Sequence, residues 1–159
     1  LRSFSHFGDQ ARVLAWRACA NMLLCEEHLA ADIQATRDKA EALIFKALDI
    51  DPFDLSALSI GAHYCASVLR DFDRARALSD AALDLAPFSP FALDVRAKME
   101  AETGALEAAC KTARLAMRMG LYSPMRHHLT ATQAILSSLS GDHAKGWETL
   151  RPMLKYRGG

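Results

Sequence analysis

Residues 47–58 read A-L-D-I-D-P-F-D-L-S-A-L, and residues 82–93 read A-L-D-L-A-P-F-S-P-F-A-L. Seven of the twelve positions are identical, at a spacing of 82 − 47 = 35 residues. Self-similarity at a period in the mid-thirties, carried by helical patterning, is the signature of stacked helix pairs, each too small to bury its apolar face alone. An array of this kind works by presenting a surface and seldom by holding a catalytic pocket.

Working outward from that stretch, the punctuation divides the chain into eight helices. Residues 1–8 read as a lead-in. Asp9 is placed to cap a first helix over about Gln10–Ala30, and Asp32 opens a second, to Ile50, which Pro52 ends. Asp54 or Ser56 opens the third, to about Leu69, and Asp71 the fourth, to Leu85, stopped by Pro87. Ser89-Pro90 starts the fifth, because proline suits a first turn where its missing N–H costs nothing. That helix runs to Glu102, with Gly104 as a left-handed cap, and the sixth spans Ala105–Met119. Ser123-Pro124 repeats the start signal for a seventh, to Leu139. The eighth covers His143–Tyr156, where Pro152 is expected to kink it or end it early. The expected organisation is one helical domain over 9–156, with units at about 9–52, 53–87, 88–121 and 122–156, and a tail at 157–159.

The pattern resembles the tetratricopeptide repeat family, a 34-residue helix–turn–helix motif. The turn L-R-D-F-D-R-A at 69–75 looks like the family's inter-helix turn. The small residues that the family places where paired helices cross fall on Ala40 and Ala47, Ala75 and Ala82, and Ala109 and Ala116. A fourth, degraded unit, about three residues longer, uses the turn S-G-D-H-A-K-G-W at 140–147, with Gly146 at the crossing. His63 stands as a departure, where the pattern puts Gly or Ala. The resemblance implies an all-α, right-handed α-α superhelix, a solenoid of about four such pairs. The segment at 113–128, A-R-L-A-M-R-M-G-L-Y-S-P-M-R-H-H, is also similar to the repeat regions of bacterial multidomain transcriptional regulators and nucleotide cyclases. The chain lacks an initiating Met, so it is expected to be a segment or processed form of a longer protein.

The resemblance further implies a concave groove lined by the first helix of each pair. Its positions fall on Ala57, Ile60, Tyr64, Ser67 and Val68 in the second unit, and on Phe91, Asp94, Lys98, Ala101 and Glu102 in the third. His128, Ala131 and Ile135 follow in the fourth, and Met22, Cys25 and Leu29 in the first. The expected partner-binding groove is therefore Ile60, Tyr64, Val68, Phe91, Asp94, Lys98, Glu102 and His128. Tyr64 and Phe91 would anchor through apolar area, and the charged residues would set register. The bland alternative for Asp94, Lys98 and Glu102, spaced i, i+4, i+8, is a solvated salt-bridge face. The lysines and asparagines that chaperone-binding family members use to clamp a carboxylate are absent; Ile60, Tyr64 and Val68 occupy those places.

Composition narrows the classes. The 19 basic and 19 acidic residues cancel, whereas duplex-binding surfaces carry a basic excess, so direct nucleic-acid binding is not expected. No apolar run approaches a membrane span. The four cysteines, at 19, 25, 65 and 110, form no C-x-x-C pair and read as reduced and buried, which favours the cytoplasm. Adjacent His127 and His128 point about 100° apart on a helix and do not converge on one ion, so no metal is expected. Cys25 with His28, and His63 with Cys65, lack an orienting third group for a nucleophile. No phosphate-binding glycine loop occurs. Trp16 and Trp147 read as packing residues. A stand-alone enzyme is the least supported class, and no cofactor is expected. Binding of a protein or peptide, including another domain of the same chain, leads. A ligand-sensing regulatory domain and self-association as a homodimer through the end helices are the alternatives.

Overall fold

Two helices can cross at close range only where the side chains between them are small. In the computed structural model, Ala40, Ala47, Ala75, Ala82, Ala109 and Ala116 are all buried in the paired helices. The structure describes residues 2–123 and 125–154, with side chains over 10–123 and 125–153. The expectations that fell on Pro124, on the helix end at Tyr156 and on the tail lie outside these residues. Among the described residues every regular element is helical: α1 (Arg2–Glu26), α2 (Ile33–Ile50), α3 (Leu55–Tyr64), a π-turn (Cys65–Leu69), α4 (Phe72–Leu85), α5 (Pro90–Glu102), α6 (Leu106–Met119), α7 (Arg126–Leu139) and α8 (His143–Leu154).

The chain divides into two compact units, Leu1–Leu85 and Ala86–Gly159. In the first, α1 pairs with α2 and α3 with α4, and α3 also lies against α1. Its core is formed by Leu14, Ala18, Ile44, Leu58 and Ile60 with the crossing alanines. In the second, α5 pairs with α6 and α7 with α8, and α7 contacts both α5 and α6. Ala97, Ala109, Cys110, Ala113 and Leu136 make one cluster there.

Helix starts follow the capping chemistry. The carboxylates of Asp32 and Asp54 accept from the N–H of Ala35 and Ala57, and Asp71 and Asp142 do the same for Arg74 and Lys145. Ser89 accepts from Ala92 ahead of Pro90. Each such cap contributes about 1 kcal/mol. Two expectations are corrected. The first helix begins at Arg2, so Asp9 lies within it and not at its start, and it ends at Glu26 instead of Ala30. Gly8 costs a helix about 1 kcal/mol, which is too little to stop it. As expected, Pro152 lies inside the eighth helix, which is described from His143 to Leu154.

The π-turn explains the 35-residue spacing. A π-turn accommodates one residue more than the α-helical turn it replaces. Here the N–H of Arg70 closes on the carbonyl of Cys65, and Arg70 ends the turn in the left-handed region at φ 57°. The extra residue is therefore taken up after Tyr64, and α3 keeps the register of the preceding proline, Pro52. Ala62, fully buried, lies 35 residues before the equally buried Ala97.

Candidate functional site

The same register shift relocates the inner face of α3. Counting 35 residues back from Asp94, Lys98 and Glu102 gives Ser59, His63 and Ser67. Ile60 and Tyr64 correspond instead to Val95 and Met99, and like them are buried, at 1% and 2% exposure. Both side chains are buried in the first unit, Ile60 wholly within the core and Tyr64 at the edge of the cavity described next. The Tyr64 hydroxyl donates to Oε2 of Glu41 at 3.2 Å. Burial, then the neighbouring Glu41 carboxylate, pushes the phenol up to about 12.

At the end of α3 the residues read as inner-face positions do converge. Met22 and Cys25 from α1 and Tyr64, Ser67 and Val68 from α3 and the π-turn line one cavity of about 300 Å³. Glu26 and His28 complete the α1 wall, and Arg37 and Ala40 come from α2. Two backbone departures shape it. The π-turn supplies Ser67, whose hydroxyl donates to the His63 carbonyl at 2.8 Å, and Val68. His28 adopts a left-handed conformation at φ 55°, closing α1 with bonds from the N–H of Leu29 and Ala30 back to the Leu24 carbonyl. Above the cavity wall, Nε2 of His63 lies 3.6 Å from Oε1 of Glu26. Cys65, next to Tyr64, is fully buried, and burial pushes its thiol up against the opposing charge of Arg74. It is thus held protonated and away from solvent.

In the second unit, three of the expected residues meet. Oδ2 of Asp94 is 3.0 Å from both Nζ of Lys98 and Nε2 of His128, and those two nitrogens are 2.7 Å apart. Asp94 is 1% exposed, so this is a buried carboxylate under two surface bases, not a solvated salt-bridge ladder. Burial alone would raise its carboxyl. The His128 hydrogen bond, the Lys98 charge and the His128 charge together outweigh it and hold the group below the usual carboxylate range. Oδ1 is buried without a hydrogen-bond partner; the Thr132 hydroxyl favours the charged form from nearby without closing a bond of its own. Of the remaining expected contacts, Val68 and Phe91 are half-buried and Glu102 is exposed.

The expected groove did not include Arg37, which lies on the second helix of its pair, or Glu26 and His28, which fall between the positions counted on the first helix. A larger cavity, about 600 Å³, lies in the second unit among Met117, Leu121, His127, Glu148 and Met153. Among the described residues no cluster of three metal-ligating side chains occurs, and no helix is long and apolar enough to cross a membrane. No family model matches the chain, and no curated protein matches it.

Proposed function

We propose that the chain is a protein-interaction module, a right-handed solenoid of four tetratricopeptide-like helix pairs, acting as a regulatory part of a larger bacterial protein. Its partner is a protein or peptide segment held along the first helices of the pairs.

One observation carries this reading. His63 and Lys98, 35 residues apart, occupy the same repeat position, and each reaches to the neighbouring first helix of its own unit: His63 to Glu26 on α1, Lys98 to His128 on α7. The repeat thus sets polar groups along the first-helix side, where a segment's backbone and charges can be registered. The exposed side of α1 adds apolar area, with Val13, Trp16, Leu23 and Leu24 within one helical sector; exposed apolar patches mark interaction sites.

Affinity capture from native lysate tests it, comparing the wild type with the Ser67→Arg/Glu102→Arg variant. Both positions are half-buried or exposed, so the fold tolerates the change, which circular dichroism checks. The expected result is at least one protein retained by the wild type and lost by the variant. An identical captured set from both sinks the groove reading.

A further inference from the structure

The backbones of α6 and α8 each lie against α7 and not against one another. A furrow is left between them, floored by α7, on the second-helix side of the unit. Three recesses mark its course, of about 360, 440 and 600 Å³. The first two share Lys111 and Arg114, and the last two share Met117, so they follow one another along α6. From Leu106 to Leu121 the helical rise makes this about 20 Å, the length of about six residues of extended chain.

The two halves of the furrow differ in chemistry. Along the first two recesses four cations, Lys111, Arg114, Arg118 and Lys145, stand with two acids. Both acids are engaged: Glu107 holds Nζ of Lys111 at 2.8 Å, and Asp142 accepts the Lys145 N–H that opens α8. The side chains of Arg114, Arg118 and Lys145 make no hydrogen bond or ion pair among the described residues. On a chain whose charges cancel, this is a local excess. Ser137, 4% exposed, lies on the floor between them. Its hydroxyl accepts from Gln133 at 3.1 Å and gives its own proton to no acceptor among the described residues. In the last recess the lining turns apolar, with Met117, Leu121, Pro152 and Met153, and the charges of Arg126 and Glu148 cancel.

Charge complementarity selects the occupant. A nucleic-acid strand, charged along its whole length, does not suit the apolar half. The chain's own last residues, K-Y-R-G-G, bring two more cations and do not suit the basic half. A segment with carboxylates at one end and apolar side chains at the other matches both. We propose that this furrow is a docking surface for a protein segment of about six residues, acidic at one end and apolar at the other. It is separate from the first-helix side, where the proposed function places its partner.

The test pans a display library of random peptides on the full chain, with the Arg114→Glu/Arg118→Glu variant panned in parallel. Both side chains are exposed, and circular dichroism checks that the variant folds. The expected result is a set of peptides enriched by the wild type and absent from the variant pool, each joining a cluster of acids to an apolar run. The strongest of them, synthesised and followed by fluorescence polarisation, should bind about tenfold more weakly to that variant and to Leu121→Glu, and more weakly as salt rises. Ser67→Arg/Glu102→Arg should leave its affinity unchanged, so this surface and the first-helix reading fail separately. The assignment is overturned if no peptide depends on Arg114 and Arg118, if the dependent peptides lack either half, or if Leu121→Glu leaves the affinity unmoved.

Discussion

Nζ of Lys98 lies 2.7 Å from Nε2 of His128, a distance that two cations would not keep. The buried Asp94 carboxylate reconciles them, because its Oδ2 is 3.0 Å from each. Nε2 has one valence to offer: it donates a proton to Asp94, or it presents its lone pair to the Lys98 ammonium, and it cannot do both. The three side chains therefore act as one unit, in which either base can secure Asp94 when the other is missing. Lys98→Ala and His128→Ala should each cost about 1 kcal/mol, since a charge-assisted bond remains. The double variant leaves a buried carboxylate alone and should cost about 3–5 kcal/mol, more than the sum. Adding Asp94→Leu in that background should recover most of the loss. Urea denaturation measures all four; simple additivity would show that the bases act on Asp94 independently.

The same carboxylate sets an acid limb. Its folded-state pKa is depressed by His128 and Lys98 against the opposing effect of burial, while the unfolded chain has the ordinary value of about 3.9. Between those two values the unfolded state binds more protons, so stability rises with pH there. The contribution is whole above the unfolded value and disappears as pH falls through the folded one. Denaturation midpoints from pH 7 down to 2 should therefore fall more steeply below about pH 4 in the wild type than in Asp94→Asn. Parallel curves would mean that Asp94 is not the group responsible.

The helix pairs were legible because their determinants are local. Small residues recur at Ala40, Ala75 and Ala109, and capping side chains at Asp32, Asp54, Asp71 and Ser89 announce helix starts. The spacing of 35 residues was also readable, but not the place that absorbs the extra one. Nothing in C-A-S-V-L distinguishes a π-turn from an α-turn; the choice rests on packing around Tyr64 and on Arg70 accepting a left-handed conformation. That one-residue shift turned Ile60 and Tyr64 into apparent groove positions and hid Ser59 and His63. The second-unit cluster was partly legible, since Asp94 and Lys98 are four apart on one helix. His128 joins them from α7, and Asp94 is buried beneath both bases, which makes a solvated pair into an enclosed one.

The fourth pair tests how close the helix crossing is. A Cβ on Gly146 would lie 2.9 Å from the carbonyl oxygen of Ala134 and 2.2 Å from Oγ of Ser138. The hydroxyl can swing away, but the carbonyl is α7 backbone and cannot move without shifting the helix. In an open helix, Gly→Ala gains about 1 kcal/mol. Here the enforced separation should reverse the sign and cost about 1–3 kcal/mol net. Ser138→Ala should not rescue it, because the backbone contact remains. Gly104→Ala is the contrasting case: no atom lies near its added Cβ, yet its φ of +86° is left-handed, so a loss of about 1 kcal/mol comes from the backbone alone. Thermal denaturation of the three variants separates the causes. A Gly146→Ala chain that melts above the wild type would mean that α7 and α8 have room between them, and that glycine is there for some reason other than the crossing.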